Sequence, residues 1–472
     1  MRYFSFFFLV CFSSMAFGSD FQIRISGRFP GAEGQLVRLM EYNDLISFRE
    51  KEVAAAQVDE QGHFSFTFSR FQPRFMFFRI DHARMGFFVE PGKDYFFEFD
   101  PVAFFQLDDS RNPYLDPWYF RFNLSGTGAE LNHQIDAFED MLNEFVLENF
   151  RLIHSGRNRN LLLEFRQQTD SIFGEIDNEF FREYYEYKYA YYNRIGSVER
   201  IPDQMRRYVL NRPVLYHNTQ YMNFFHVAFD QYLVSGSRSI TIWDLRHTIN
   251  ELNSYHALMD SLGKDTLLRN EVIRELVMLK GLQDLHSNPD YRRSHVEDIL
   301  SYVAYNSKFP EHRTIAENIL FSKRHLAPGQ PAPSFSSKNQ QGELLNIPED
   351  FNGKFVFIGF WATWCETCLM EFAALQPIYQ KHKDDFVFIH ISTDRHRNRY
   401  EAFVAAGAVP GIHLHYNGDF RMLDAYRIRS MPTYVILDEH GRVLDYPARR
   451  PSDGLMVFFD WLMFQKQRQS RP

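Results

Sequence analysis

Apolar and polar residues alternate between Phe21 and about Asp100, most clearly in His63-Phe64-Ser65-Phe66-Thr67-Phe68-Ser69, where Phe64, Phe66 and Phe68 fall on one face. A period of two predicts β-strands. Turn-forming runs precede two of them, Asp59-Glu60-Gln61-Gly62 before that stretch and Pro91-Gly92-Lys93-Asp94 before Tyr95-Phe96-Phe97-Glu98-Phe99. Short strands at hairpin spacing predict a small β-sandwich or barrel. From about Thr127 to Leu326 the period lengthens. Leu131, Ile135, Phe138, Leu142 and Phe145 form one helical stripe, and Thr127 with Glu130 three residues on has the spacing of a capping box. Phe180 to Ile195, Trp243 to Leu262 and Pro310 to Leu320 also predict helices, so the middle region is mostly α. The tyrosines between Phe180 and Ile195 lie at helical spacing, which predicts a core between helices rather than a stacking surface for a glycan or peptide.

Leu326-Ala327-Pro328-Gly329-Gln330-Pro331-Ala332-Pro333 breaks the helical pattern with a stiff, extended connection. Beyond it, strand and helix alternate. Phe355 to Phe360 and Phe386 to Ile391 are continuous apolar runs, as strands buried on both faces require, and Thr433 to Leu437 is a third strand. Glu366 to Tyr379 and Arg399 to Ala406 are helical, so this part is an α/β sheet unit. The division predicted is a leader over 1–18, a β-rich domain over 19–125, a helical domain over 126–326 and an α/β domain over 327–472, with no internal repeat.

A chain of 472 residues has room for these units, and its 50 phenylalanines supply large aromatic cores. The net charge of −8 and the absence of a polybasic block exclude nucleic acid as a partner. Residues 1–18 carry one basic residue, Arg2, an apolar stretch from Phe4 to Phe12 and Ala16-Phe17-Gly18 before Ser19. That is the pattern of a secretory signal, and Val10 before Cys11, where a lipoprotein has a small residue, argues against a lipid anchor. Cleavage removes Cys11 and leaves Cys365 and Cys368. A lone close pair cannot staple a chain of this size and points instead to chemistry.

That pair stands in Phe360-Trp361-Ala362-Thr363-Trp364-Cys365-Glu366-Thr367-Cys368, between an apolar strand and a helix. Unpaired N–H groups and the positive end of the helix dipole favour a thiolate at the first cysteine. One turn brings the second sulfur beside it. Cys365 is therefore the expected nucleophile toward a substrate disulfide, and Cys368 the thiol that resolves the mixed disulfide and closes a Cys365–Cys368 bond.

Together with Ser430-Met431-Pro432-Thr433, this motif resembles the thioredoxin superfamily, in its exported TlpA/ResA-type branch of thiol-disulfide oxidoreductases. The resemblance covers about residues 327 to 467. It implies a thioredoxin-like fold, a cis bond before Pro432, a backbone edge at Met431 for extended substrate, and a shield over the disulfide from Trp364. The β-rich and helical regions more loosely resemble segments preceding such domains in exported bacterial proteins, which implies no catalytic role. Three departures stand out. Gly359 replaces the buried acid that moves the second cysteine's proton in thioredoxin. Glu371, three residues after Cys368, matches a carboxylate of the ResA type and is either a proton acceptor or a solvated helix residue. Ala373 stands where a kinking proline is frequent, with Pro377 one turn on. Glu366, next to Cys365, works against the thiolate and favours a reductant over a strong oxidant.

Zinc is the first alternative, but His390, His396, His413 and His415 lack the spacing of a second ligand pair, and the His413 and His415 pair is expected at the surface. A peroxidase is a second, but Thr363 lacks the proline of its motif. From another class comes a binding or scaffold protein of the envelope with a redox-inactive domain. The reading preferred is an exported thiol-disulfide oxidoreductase, reductase or isomerase, that needs no dissociable cofactor. Its partners are disulfide-containing envelope proteins and, for a reductase, a separate membrane electron donor.

Overall fold

The computed structural model describes residues 21–102, 112–115, 118–155, 159–196, 199–210, 212–237, 239–407 and 409–469. The leader predicted over residues 1–18, with Cys11, lies outside them.

The alternating N-terminal pattern folds into β1 (Gln22–Arg28), β2 (Leu36–Tyr42), β3 (Glu50–Gln57), β4 (His63–Ser69), β5 (Arg74–Ile80), β6 (Ala83–Val89), β7 (Asp94–Phe99) and β8 (Phe122–Ser125). Two four-stranded sheets result, ordered β4-β1-β7-β8 and β3-β2-β5-β6. Their inner faces meet through phenylalanines: Phe78 of one sheet packs edge-on at 4.8 Å against Phe97 of the other and is fully buried. This is a sandwich.

The middle region contains α1 (Ala129–Ser155), α2 (Arg159–Phe173), α3 (Glu179–Ile195), α4 (Ile201–Met205), α5 (Thr219–Ala228), α6 (Ile242–Arg246), α7 (Tyr255–Leu262), α8 (Glu271–Leu285), α9 (Arg293–Asn306) and α10 (Pro310–Arg324). Tyr184, Tyr187 and Tyr189 of α3 are buried, as the periodicity predicts. Two local expectations fail. The Thr127 hydroxyl accepts the Asp94 N–H at 2.9 Å, tying α1 to β7, instead of closing a capping box with Glu130. The helix expected over Trp243 to Leu262 breaks at Asn253, whose φ of 44° lies in the left-handed region, and Ser254 caps the separate α7.

The C-terminal unit comprises β9 (Phe335–Lys338), β10 (Leu344–Ile347), β11 (Phe355–Trp361), α11 (Glu366–His382), β12 (Phe386–Ser392), α12 (Arg397–Ala405), β13 (Ile412–His415), α13 (Phe420–Ala425), β14 (Thr433–Leu437), β15 (Val443–Asp445) and α14 (Leu455–Gln469). Its main sheet is ordered β13-β12-β11-β14-β15, with β11 parallel to β12 and antiparallel to β14. Phe357, Phe372, Phe388 and Phe459 fill one face and Ile358, Ile391, Tyr426 and Val435 the other, which is why the central strands are apolar throughout. Pro377 lies inside α11.

The three regions touch. Arg38 of β2 and Arg79 of β5 both reach Asp424 of α13, at 3.0 and 2.8 Å. Arg395 pairs with Asp81 and stacks on Trp118. From α10, the Ser322 carbonyl accepts Arg427, and just beyond the helix His325 Nε2 bonds the Ala425 carbonyl at 2.9 Å.

Candidate active site

β11 is buried at every position and delivers Ala362, Thr363 and Trp364 to the start of α11. Cys365 is the N-cap of that helix, and its Sγ accepts the Cys368 N–H at 3.1 Å. Sulfur here meets the unpaired N–H groups of the first turn, which favours its thiolate once the bond is opened. Cys365 and Cys368 are joined as a disulfide. Cys365 is 7% exposed and Cys368 1%, so the first cysteine is the more exposed of a largely buried pair.

The loop between strand and helix is held from beneath by a buried carboxylate. Asp394 accepts the Thr363 N–H at 3.0 Å and the Thr363 hydroxyl at 2.7 Å, and also the Ser392 hydroxyl at 2.7 Å. Hydrogen bonds to a charged acceptor are stronger than neutral ones, so this clamp fixes the turn that presents Cys365. Sequence reasoning missed it. The signal is there in Ser392-Thr393-Asp394, a polar triplet at the carboxyl end of an apolar strand, where α/β sheets place their sites.

Pro432 is buried after a cis peptide bond from Met431. Met431 and Trp364 are half-buried and pack against the cluster that contains both cysteines. The sequence-predicted Cys365, Cys368, Trp364, Met431 and Pro432 thus share one corner of the domain. Glu371 is not a solvated helix residue: it is buried, and its carboxylate accepts the Ser452 N–H at 2.9 Å and hydroxyl at 2.7 Å. No hydrogen bond joins it to either cysteine among the described residues.

At Gly359, where thioredoxin has its acid, a Cβ would lie 3.0 Å from the Tyr434 ring and 3.7 Å from His390 Nδ1. A side chain there presses on the Tyr434 ring, which must shift to admit it. His390 is fully buried, and burial pushes its imidazole down to about 3, so a neutral ring lies beneath the helix instead of a charge. His413 and His415 are likewise not surface residues. Both are buried, His413 Nε2 bonding the Val409 carbonyl at 2.9 Å and His415 Nε2 the Asp394 carbonyl at 2.7 Å.

Residues 327–452 match the Redoxin family model. The thiol-disulfide oxidoreductase ResA of Bacillus subtilis is 27% identical, over 31% of this chain and 74% of its own length. Thioredoxin-like protein YneN of the same organism is 30% identical, over 26% of this chain and 75% of its own length. The chain belongs to the thioredoxin superfamily, in its TlpA/ResA-like branch. A solved structure of a thiol-disulfide oxidoreductase from Bacteroides fragilis is 25% identical and covers 28% of this chain and 99% of its own, with a TM-score of 0.25. Like its ResA relatives, this member of the superfamily is a thiol-disulfide oxidoreductase. The sandwich and the helical region lie outside the Redoxin match.

Proposed function

We propose that the protein is exported and works as a reductase or isomerase on misoxidised proteins of the cell envelope, with Cys365 as nucleophile and Cys368 as resolving thiol. The observation that carries this is Cys365 at the N-cap of α11, more exposed than its partner and flanked by Trp364 and the Met431–Pro432 edge. In the reduced enzyme the Cys365 thiolate attacks one sulfur of a substrate disulfide. The other substrate sulfur leaves as a thiolate and is protonated. Cys368 then loses its proton and attacks Cys365 Sγ. The bond between Cys365 and substrate breaks, the second substrate thiol is released, and two electrons have passed to the substrate. Glu371, one turn from Cys368 and also buried, takes that proton. Met431 offers its backbone to the substrate segment, and Trp364 shields the disulfide. The exposed Glu366 disfavours the Cys365 thiolate and so tilts the pair toward donating electrons. A separate membrane protein returns the electrons.

Trapping tests the assignment. Cys368→Ser is expected to accumulate a mixed disulfide with a disulfide-bonded peptide, through Cys365, while Cys365→Ser accumulates none. If the wild type opens no disulfide and neither variant is trapped, the scaffold reading replaces this one. Export predicts a mature protein beginning at Ser19, read from its intact mass.

A further inference from the structure

The junction of the three regions carries an open cavity of about 620 Å³ whose walls come from β2, the start of β3 and the segment before it, the end of α10, and α13 with the residues after it. Its charges do not balance. Of the three carboxylates in the wall, Glu50 is shared by Arg79 and Arg84, Glu52 by Arg38 and Arg421, and Asp424 by Arg38, Arg79 and Arg429. Two further guanidiniums in the wall, Arg49 and Arg427, have no carboxylate within 4 Å among the described residues. The carboxylates that act on Arg49, Asp44 and Glu317, do so from beyond ion-pair distance.

Both arginines are nevertheless held in place. Arg49 lies over the Phe321 ring at 3.6 Å and donates to Asn318 Oδ1 at 3.0 Å. Arg427 donates to the Ser322 carbonyl. The backbone is left-handed at Arg427, with a φ of 51°, and at Phe48, just before Arg49, with a φ of 53°, a region that non-glycine residues seldom adopt. Burial lowers the affinity of each guanidinium for its proton, so both are partly stripped of water without a carboxylate in ion-pair contact. Each also depresses His325, which lines the same cavity.

We propose that this junction is a binding site for a doubly charged oxyanion, a phosphate group, held between Arg49 and Arg427. Arginine forks suit such an anion because their donors are planar and fixed in direction. The cavity exceeds the size of inorganic phosphate, so a phosphate ester of a small molecule also fits. Because its walls come from all three regions, the bound anion stabilises their packed arrangement by mass action. The inference rests on the charge and geometry of the junction and is independent of the thiol-disulfide reading.

Thermal unfolding of the full chain tests it, with inorganic phosphate and glucose 6-phosphate compared against chloride at matched ionic strength. The wild type is expected to gain at least about 2 °C with phosphate. A larger gain with the ester marks the esterified group as the better ligand; an equal gain marks phosphate alone. Either gain is expected to vanish in the double variant Arg49→Gln, Arg427→Gln and to persist in Arg28→Gln, an exposed arginine away from the cavity. Should the double variant fail to fold, arginine modification of the wild type gives the answer. Phosphate protects Arg49 and Arg427 from a dicarbonyl reagent and leaves Arg28 reactive. No phosphate-specific gain, or an equal gain in the double variant, or no selective protection, overturns the proposal.

Discussion

The redox corner and the junction are built over very different sequence distances. At the redox corner the contacts of the cysteine loop stay inside one domain: Cys365 Sγ takes the N–H three residues on, and Thr363 reaches Asp394 within one strand–helix–strand unit. At the junction, Arg38 meets an acid 386 residues away in Asp424. The first arrangement is a property of one domain. The second exists only when the sandwich is packed against the redox domain. Chemistry and inter-domain packing are therefore separable, and mutations are expected to separate them.

The sharpest separation comes from Cys365→Ser. It removes the proposed nucleophile and is expected to drop disulfide exchange by at least about 10³-fold, since enzymes commonly exceed 10⁶ over the uncatalysed rate, while unfolding stability under reducing conditions stays near that of the wild type. Asp424→Asn is the mirror image. It leaves Arg38 and Arg79, whose side chains are 7% exposed, short of one counter-charge each. A loss of about 3 kcal/mol in denaturant unfolding is expected, with exchange by the folded enzyme kept. If Asp424→Asn slows exchange as much as it lowers stability, the two regions are coupled and the separation is wrong.

Asp394→Asn sharpens the contrast from inside the redox domain. It weakens three hydrogen bonds to a charged acceptor beneath the loop, and about 2 kcal/mol of stability is expected to go together with a slower exchange rate. Here stability and rate fall together, as they do not at Asp424.

The most gradual expected effect is a dependence on pH. His390 has a folded-state value of about 3, depressed by burial, against about 6.5 unfolded. Between those values the unfolded chain binds the proton and the folded chain does not, so stability falls as pH drops below 6.5. Its contribution is about 1.4 kcal/mol per pH unit at the steepest. His82, on the sandwich side of the seam, is also held at about 3, by burial and Arg79. Replacing His390 by Gln is expected to flatten the acid limb of the stability curve by that amount, as is His82→Gln. An unchanged slope in both variants contradicts the buried, neutral assignment.

Much of this architecture is legible in the amino-acid sequence, and the reason is local. Phe64, Phe66 and Phe68 alternate because one face of β4 is solvated, and β11 is continuously apolar because neither face is. The cysteine loop is legible because its spacing is its geometry. What stays hidden depends on partners distant in sequence or on a single backbone angle. Thr127 has the spacing of a cap but spends its hydroxyl on Asp94, and Asn253 breaks a helical pattern through one left-handed residue. Glu371 reads equally as a proton acceptor or a solvated helix position until the segment leading into α14 folds over it and brings Ser452 to its carboxylate. Asp394 carries no motif of its own; only the parallel pairing of β11 with β12 sets it under Thr363. The arginines of the junction are unremarkable along the chain and informative only where three regions converge.

Cys365 and Cys368 are proposed to be an exchanging pair poised to donate electrons, with one decisive consequence. The most direct test is the reduction potential of the mature protein, by equilibration in graded thiol buffers with alkylation as readout. A value near or below roughly −230 mV is predicted and directs the search to a membrane electron donor. A value near roughly −120 mV makes the protein an oxidant and contradicts the role given to Glu366, and a pair that never equilibrates contradicts the enzyme itself.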